Sequence, residues 1–379
     1  MKATHSYLSL FCLLILFSNC RDGVILPSNQ NKELEIEGFY PGQDMDRVFG
    51  QEHILVLQED YSRDRARPIH IFDTDTEKRV KTIPDLSGHL ISVQNEKIYV
   101  LGSEYNENIG PDKRDIVLKI FNLDGELVQN YNKENTCIDN KYRVTYGLAA
   151  DVDTKGQVWV GVNSSDPVLN FEGILQVDPI NNTCKIWNKD NSNLSSNVIK
   201  KLLIYKDKVY VLCSLAATEN HELFLFENGD FKSLLLTAPI SGNFYGPWID
   251  QEGKLIYGRS STTGTVLTEL NGEKKNLGTE EPITLYPNYY MGPRGNEYIA
   301  GTHEISVPYP GYAPTLNPTT YLSRNGKVYA SWDLEDNPFY AREQIYINGL
   351  YVNPNKTSSL WLANGKEGHR LGGLVKITF

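Results

Sequence analysis

The chain has 379 residues, of which 40% are hydrophobic and 22% charged, a balance that is typical of a folded domain with a large core. Its formal net charge is −10 and no cluster of Lys or Arg is visible. This argues against a nucleic-acid partner, because phosphate contacts require clustered cations.

The first residues of the chain form a targeting segment. Lys2 precedes the apolar run Tyr7–Phe17, which is too short to span a bilayer and has the length of a signal-peptide core. The run ends at Phe17–Cys20 (FSNC), which resembles the cleavage box of bacterial lipoproteins. The alternative is an ordinary secreted protein that is cut elsewhere near Cys20.

The resemblance implies three parts of the chain. Residues 1–19 are a lipoprotein signal peptide, residues 20–32 are a tether, and residues 33–379 are the folded domain. Cys20 would be the acylated first residue of the mature chain, and stable anchoring requires more than one acyl chain. The expected location is the bacterial cell envelope, at the outer membrane, facing either the periplasm or the cell surface.

After the tether, a strand centred on an aromatic or aliphatic residue recurs seven times. The six gaps between the central residues average 51 residues, which is near the length of a propeller blade of four short strands. The central residues are Leu55, Tyr99, Trp159, Tyr210, Ile256, Tyr298 and Trp361.

Each repeat also has the same internal order. An apolar strand such as Ile199–Tyr205 is followed by a tight polar turn, the aromatic-centred strand, and a third strand with its own hairpin. Turns such as Asn228-Gly229 and Asn325-Gly326 favour the positive φ angles of two-residue hairpins. The pattern predicts an all-β fold, a single propeller of seven four-stranded blades. The alternative is a pair of open sheets.

The seventh repeat lacks its outer strand. Three strands are predicted at Ile345–Val352, Leu360–Ala363 and Leu374–Phe379, after which no fourth follows. An unpaired sheet edge is a liability, and the alternating segment Glu33–Glu37 is available to cover it. We therefore predict that this N-terminal strand closes the ring in blade seven.

One repeat carries a more specific motif. Asp153-x-x-Gly156-x-x-Trp159-Val160-Gly161 resembles the repeat of two-component-regulator propellers, and Asn193–Ile199 resembles the linker between blades of that family. The good match covers blades three and four. The resemblance implies a propeller of the kind found in periplasmic sensor domains.

Three cysteines lie in the predicted folded domain. Cys213 falls in an apolar run and is expected to be a small buried side chain. Cys137 and Cys184 lie in polar turns, where an oxidising envelope would allow a disulfide. An odd number of cysteines does not by itself indicate a disulfide framework, so this pairing stays open.

The lengths of the turns point to one face of the disc. Turns after the first and third strands of each blade emerge on one face, here named the turn face, and are tight. Connections after the second and fourth strands emerge on the other, the loop face, and include most of the long segments. Among them His303–Pro318 is rich in Pro and Tyr, so Tyr309 and Tyr312 are candidate binding residues. The alternative is that these rings pack back onto the disc.

The central channel is the second candidate site. Residues near the start of each first strand would line its mouth and could hold a small anionic or sugar-like ligand. The same mixture also describes an ordinary water-filled channel. These residues are Arg47, His89, Tyr146, Asn197, Tyr245, Tyr286 and Arg342.

No catalytic motif is convincing. His303-Glu304 begins like a zinc-protease helix but lacks the second His at the required spacing, so no metal site is expected. There is no nucleophile elbow and no phosphate loop, so no cofactor is expected and catalytic residues stay unassigned. Asp151 and Asp153 are interpreted as turn residues rather than catalytic acids.

These features favour a lipid-anchored, non-enzymatic binding module whose loop face holds a protein, peptide or glycan. An alternative is a propeller hydrolase or lyase that acts on a sugar or lactone in the central funnel. A third is a sensor or assembly scaffold related to the regulator propellers. The expected partners are the membrane, through the anchor, and such a ligand, but no nucleic acid.

Overall fold

The strands of this chain form a ring of seven separate sheets, and each sheet is one blade of a β-propeller. The computed structural model describes residues 34–40, 43, 45–59, 67–84, 88–105, 114–132, 134–138, 142–144, 149–164, 172–215, 221–236, 244–249, 253–261, 264–269, 285–291, 296–307, 315–332, 340–341, 344–345, 347–364 and 373–379. Within these ranges every regular element is a β-strand and none is a helix. The predicted all-β propeller is confirmed.

Most blades are antiparallel sheets in which the chain runs from the innermost strand outward. The N-terminal strand β1 is Glu35–Phe39. Blade 1 comprises β2 (Met45–Gln51), β3 (Ile54–Glu59), β4 (Ile69–Asp73) and β5 (Lys78–Ile83). Blade 2 comprises β6 (Gly88–Gln94), β7 (Lys97–Tyr105), β8 (Arg114–Asn122) and β9 (Leu127–Tyr131).

In blade 3 two strands, β10 and β11, both pair with β12. It comprises β10 (Tyr142–Val144), β11 (Ala150–Val152), β12 (Val158–Ser164), β13 (Gly173–Asp178) and β14 (Thr183–Trp187). Blade 4 comprises β15 (Ile199–Tyr205), β16 (Lys208–Ser214), β17 (His221–Glu227) and β18 (Asp230–Leu236).

The described part of blade 5 contains three strands, β19 (Phe244–Ile249), β20 (Leu255–Ser261) and β21 (Gly264–Glu269). Blade 6 comprises β22 (Leu285–Met291), β23 (Glu297–Val307), β24 (Thr315–Arg324) and β25 (Lys327–Trp332). A small hairpin follows, made of β26 (Tyr340–Ala341) and β27 (Gln344–Ile345). Blade 7 comprises β28 (Ile347–Tyr351), β29 (Ser359–Asn364), β30 (Leu374–Thr378) and, outermost, β1.

The innermost strands close the ring. Each contacts the innermost strand of the next blade, in the order β2, β6, β11, β15, β19, β22, β28 and back to β2. The strand next to the innermost one is packed on both faces by neighbouring blades. All seven central residues of the predicted repeat lie on these second strands, and each is at most 7% exposed. Burial on both faces explains why these strands are continuous apolar runs rather than alternating ones.

The predicted closure by the N-terminal strand is confirmed. β1 pairs antiparallel with β30 over five residues, from Glu35 opposite Thr378 to Phe39 opposite Leu374. The Phe39 ring lies 5.4 Å from that of Phe72 in blade 1. Strand β1 therefore covers the free edge of blade 7 and also joins blade 7 to blade 1.

Hydrogen bonds between blades tie the turn face together. The Asn95 amide donates to the Thr154 carbonyl at 3.1 Å, and the Thr154 hydroxyl donates to Asp207 at 2.5 Å. Across the closure, the Asn353 amide donates to Asp75 at 3.0 Å. The first two bonds connect blade 2 to blade 3 and blade 3 to blade 4, and the third connects blade 7 to blade 1. Together they stabilise the packing of neighbouring blades at the turn face.

Two sequence expectations about loops and cysteines are now resolved. The segment 303–318 is not one loop, because β23 and β24 pair from Glu304 opposite Pro318 to Val307 opposite Thr315. Among the described residues, the pairing of β25 with β24 begins at Thr320 and does not include Pro318, which is compatible with a proline at that position.

Cys137 and Cys184 form a disulfide, and Cys213 is buried and free. The bond joins the β9–β10 connection to the outermost strand of blade 3. The pairing that the sequence left open is therefore present, and the expected burial of Cys213 is confirmed.

Candidate functional site

Three basic side chains lie at the loop-face end of the channel. Each innermost strand runs from the loop face toward the turn face, so residues near its beginning share one level of the channel. Arg47 is the third residue of β2, His89 the second of β6, and Lys201 the third of β15. We call this end of the channel the mouth. Arg67, at the end of the β3–β4 connection, joins the same cluster.

Arg47 and Arg67 share one carboxylate oxygen. The Asp46 Oδ2 atom is 3.3 Å from Arg67 Nη1 and 3.7 Å from Arg47 Nε, so the first contact is a hydrogen bond and the second an ion pair without one. Arg47 Nε is buried and makes no hydrogen bond to any part of the chain that the structure describes. Arg47 Nη1 donates to the Leu90 carbonyl at 3.3 Å, which fixes the guanidinium group across the seam between blades 1 and 2.

His89 is held in one protonation state and one tautomer. Burial first, then the charges of Arg47 and Arg67, lower the pKa of His89 to about 3, so the imidazole is neutral near pH 7. Arg67 Nη1 lies 2.7 Å from His89 Nδ1, and a guanidinium group can only donate. His89 Nδ1 is therefore the acceptor and the ring hydrogen is on Nε2. The mouth thus contains a neutral N–H donor beside its cations.

Gln58 fixes the strand that carries His89. Its amide Nε2 donates to the Gly88 carbonyl at 2.7 Å, and its Oε1 accepts from the Leu90 backbone N–H at 2.9 Å. The Gln58 side chain is fully buried. A buried side-chain amide that makes two hydrogen bonds holds the first residues of β6 in place, and neither bond involves the His89 side chain.

Lys201 faces Arg47 across the channel. Desolvation by the surrounding protein, and secondly the charge of Arg47, lower the pKa of Lys201, although its side chain still contacts solvent. Desolvation is also the main effect that lowers the pKa of Arg47, while Asp46 acts in the opposite direction. The charge of Arg47 in blade 1 therefore disfavours the charged form of Lys201 in blade 4. An anion between them would relieve this repulsion.

Asp151 lies elsewhere in the channel, at the seam between blades 3 and 4. Its Oδ2 accepts from the Ile204 backbone N–H at 2.7 Å and its Oδ1 from the Val152 N–H at 2.8 Å. Burial raises the pKa of Asp151 to about 7 in spite of these bonds. The interpretation of Asp151 as a turn residue was wrong, because it lies in β11 and connects two innermost strands.

Asp153, by contrast, is the turn residue that the sequence predicted. Its Oδ1 accepts from the backbone N–H groups of Lys155 at 3.0 Å and Gln157 at 2.9 Å, and its Oδ2 accepts from the Trp159 indole at 3.4 Å. Gly156 has a φ of 81°, which a side chain would disfavour. These contacts explain the Asp, Gly and Trp of the repeat motif.

Of the remaining candidate residues, the structure describes the side-chain contacts of Asn197 and the backbone positions of Tyr245 and Tyr286. Asn197 lies in the linker before β15, where its Oδ1 accepts from the Lys189 backbone N–H at 2.9 Å. Tyr245 lies in β19 and Tyr286 in β22, so the backbone places both on innermost strands. Tyr146, Tyr309, Tyr312, Arg342 and the proposed lipidation site Cys20 lie outside the described residues.

Sequence reasoning found Arg47 and His89 but missed Asp46, Arg67 and Lys201. Asp46 and Arg67 become recognisable only through their contact with each other, which joins residues that are 21 positions apart. The register of β15 shifts by one residue between Ile199 and Lys201, which a sequence pattern does not reveal.

A second polar cluster, in blade 1, is buried. His70 Nε2 lies 2.5 Å from Glu59 Oε1, and His70 Nδ1 lies 2.9 Å from Thr82 Oγ1. The His70 ring is 2% exposed and packs against the Tyr40 ring at 5.0 Å. These contacts connect β3, β4 and β5, and the Tyr40 ring packs against the His70 ring. We therefore interpret the cluster as structural.

The described residues lack two features of metal-binding and membrane-spanning proteins. They contain no group of three or more His, Cys, Asp or Glu side chains that could hold a metal ion. They also contain no helix of sufficient length and apolar character to cross a bilayer.

Comparison with known proteins supports the fold. No protein-family model matches this chain, and no curated protein matches it either. The structure is similar to virginiamycin B lyase from Staphylococcus aureus, with a TM-score of 0.52 and 10% identity over 92% of this chain and 100% of the lyase chain. It is also similar to an acylaminoacyl peptidase from Pyrococcus horikoshii, with a TM-score of 0.51 and 11% identity over 84% of this chain.

A third similar structure is the extracellular domain of a protein from B. thetaiotaomicron described as a hybrid two-component system. The TM-score is 0.51 and the identity 12%, over 91% of this chain and 39% of that chain. The present chain spans 48% of the peptidase chain. At these identities the comparisons show a β-propeller fold that binding proteins and enzymes share.

Proposed function

We propose that this protein is a non-enzymatic binding module that receives an anionic group of its ligand at the mouth of the propeller channel. The observation that carries the proposal is the basic cluster at the mouth. Arg67 Nη1 lies 3.3 Å from Asp46 Oδ2 and 2.7 Å from His89 Nδ1, and Arg47 Nε lies 3.7 Å from the same Asp46 oxygen. The charge of Arg47 also lowers the pKa of Lys201 on blade 4, after desolvation as the main cause. The chain as a whole has a net charge of −10 and would repel anions. Binding of an anion would therefore depend on the local cations of the mouth.

The chemistry of the mouth supports binding rather than catalysis. Its described polar groups are the cations Arg47, Arg67 and Lys201, the neutral donor His89, and one carboxylate, Asp46. A neutral His89 whose Nδ1 is already occupied by Arg67 is poorly placed to act as a general base. Donors in excess over acceptors suit a ligand group that only accepts hydrogen bonds, as an oxyanion does.

The test is isothermal titration of sulfate, as a minimal oxyanion, into the purified chain. We expect the Arg47→Gln and Lys201→Gln variants to bind sulfate at least about tenfold more weakly, since each removes a charge at the binding position. The matched control is Lys208→Gln, which removes an exposed cation at the turn-face end of the neighbouring strand β16. Equal loss in all three variants, or no sulfate binding by the wild-type chain, would overturn the proposal.

We further propose that the domain is held at the bacterial envelope through acylated Cys20. The support is the sequence alone, namely the short apolar run and the Phe17–Cys20 box. The ligand would then be an anion-bearing protein, peptide or glycan of that compartment. Cys20→Ala should release the protein from membranes into the soluble fraction, and unchanged detergent partitioning would contradict the anchor.

A further inference from the structure

We propose that Asp46 is an internal counter-ion which the anionic group of the ligand displaces, and that the site therefore prefers a divalent oxyanion to a monovalent carboxylate. This inference rests on the proposed function of the mouth. It assigns a specificity role to Asp46, a residue next to Arg47 in β2.

The first step of the argument is that Asp46 is not needed to orient the guanidinium groups. Arg47 is fixed by its hydrogen bond to the Leu90 carbonyl at 3.3 Å. Arg67 is fixed by its hydrogen bond to His89 Nδ1 at 2.7 Å, which is shorter than its 3.3 Å contact with Asp46. Both arginines thus have a positioning partner other than the carboxylate.

The second step is that the carboxylate is loosely held. A single oxygen of Asp46 serves both guanidinium groups, and the Arg47 contact of 3.7 Å is too long for a hydrogen bond. The Asp46 side chain is 31% exposed, so water can replace its contacts when it leaves. A carboxylate that has one long hydrogen bond to an arginine and is partly exposed can exchange this contact for water when another anion takes its place.

The third step concerns the charge of the ligand. A monovalent carboxylate would exchange one carboxylate for another of equal charge near Arg47, and it would gain only the attraction of Lys201. A divalent oxyanion gains about twice the Coulomb energy from the same cations, since that energy scales with the product of the charges. A phosphate monoester carries two negative charges at pH 8, whereas a sulfate ester or a phosphate diester carries one, so the site should favour a phosphate monoester among these groups.

The experiment compares inorganic sulfate, inorganic phosphate and acetate by isothermal titration at pH 8 and matched ionic strength. For the wild-type chain we expect sulfate and phosphate to bind at least about tenfold more tightly than acetate. Inorganic phosphate represents the group of a phosphate monoester, and inorganic sulfate is a second dianion of similar shape. Equal binding of acetate would overturn the inference but leave the proposed function standing.

The Asp46→Asn variant tests the displacement itself. Removing the competing charge should strengthen sulfate binding about tenfold and acetate binding about threefold, because the effect on a dianion is the square of that on a monoanion. Weaker sulfate binding by Asp46→Asn would show that Asp46 positions the arginines, and would overturn the inference. The comparison of anions with the wild-type chain keeps the test valid if the variant does not fold. Absence of binding by all three anions would overturn the proposed function as well.

Discussion

The blade 3 turn and the channel mouth are each built around an aspartate, and the two carboxylates have opposite surroundings. Asp153 accepts hydrogen bonds from two backbone N–H groups and the Trp159 indole, all within six residues of it. Asp46 has one oxygen shared between the guanidinium groups of two arginines that come from different parts of the chain. The donors around Asp153 are local and satisfy one carboxylate, which stabilises the scaffold. At the mouth, two arginines share one oxygen of Asp46, and such an arrangement can accept an anionic ligand.

This contrast leads to a general expectation. Changes in the scaffold should lower the free energy of unfolding, and changes at the mouth should alter binding or pH dependence with little loss of stability. The predictions that follow test this expectation, from the largest effect on stability to the smallest.

Deleting Glu33–Phe39 should have the largest effect. The deletion removes the five residue pairs between β1 and β30 and the contact of Phe39 with Phe72, and it exposes the edge of blade 7. We expect the melting temperature to fall by more than about 10 °C. Thermal unfolding followed by circular dichroism measures it, and an unchanged melting temperature would contradict the closure of the ring by β1.

The disulfide comes next. Cys137 and Cys184 are 47 residues apart, and a cross-link that closes a loop of this length stabilises a protein by about 4 kcal/mol in the chain-entropy description. We expect Cys137→Ser to lower the free energy of unfolding by up to about this amount, measured by denaturant titration. Cys213→Ser is the control for loss of a cysteine outside the bond; the first change should also make stability insensitive to reducing agent.

Asp153→Ala should lower the free energy of unfolding by about 2–3 kcal/mol, because it leaves two backbone donors and the buried Trp159 indole without their acceptor. Asp178→Ala is a matched comparison in the same blade, since it removes a carboxylate that binds exposed turn N–H groups. A loss in Asp153→Ala no larger than that in Asp178→Ala would contradict the structural account of the motif.

His89 should lower the free energy of unfolding as the pH falls below about 6.5. In the folded chain its pKa is about 3, whereas an unfolded histidine takes up a proton below about pH 6.5. Preferential proton uptake by the unfolded state therefore lowers stability as pH falls from about 6.5 toward 3. The melting temperature of His89→Gln should fall less than that of the wild-type chain between pH 7 and pH 5.

Asp151 provides the opposite control for this pH dependence. Its folded pKa is raised from 3.8 to about 7, so its contribution to stability is present below about pH 4 and is lost as pH rises toward 7. Asp151→Asn should therefore gain in melting temperature relative to the wild-type chain as pH rises. If the melting temperatures of His89→Gln and Asp151→Asn changed with pH in the same direction relative to the wild-type chain, the different environments of His89 and Asp151 would be contradicted.

Lys201→Gln should have the smallest effect on stability. The change removes a cation that is repelled by Arg47, so we expect the free energy of unfolding to stay within about 1 kcal/mol of the wild-type value or to rise slightly. Denaturant titration at low and high salt measures it. A large loss of stability would show that Lys201 supports the fold and would weaken its assignment to the mouth.

The fold was largely readable from the sequence, and the site was not. The recurring strand centres from Leu55 to Trp361 report burial on both faces of a blade, which depends on local composition. Turns such as Asn228-Gly229 were readable because positive φ angles restrict the residue types that fit, and both residues have them in the structure. The hairpin 303–318 was missed because its Pro and Tyr content is also typical of a loop.

The mouth depends on contacts between distant parts of the chain. Arg47 and His89 were identified because both lie at the beginning of a first strand. Asp46 carries no local signal that separates it from other strand aspartates, and its role follows only from its contact with Arg67, 21 residues away. Lys201 faces Arg47 from three blades away, and only closure of the ring brings the two to one channel.

The position of β1 also determines how the molecule is suspended. Glu35 pairs with Thr378, and the adjoining Phe379 N–H bonds to Ser358 in the turn between β28 and β29, so the first residues of β1 lie at the turn face. Leu34 and Glu35 are therefore on the side of the disc opposite the basic mouth. If an acylated Cys20 holds the protein to a membrane, attachment at the turn face would direct the mouth of the channel away from the membrane surface and leave it open to a ligand.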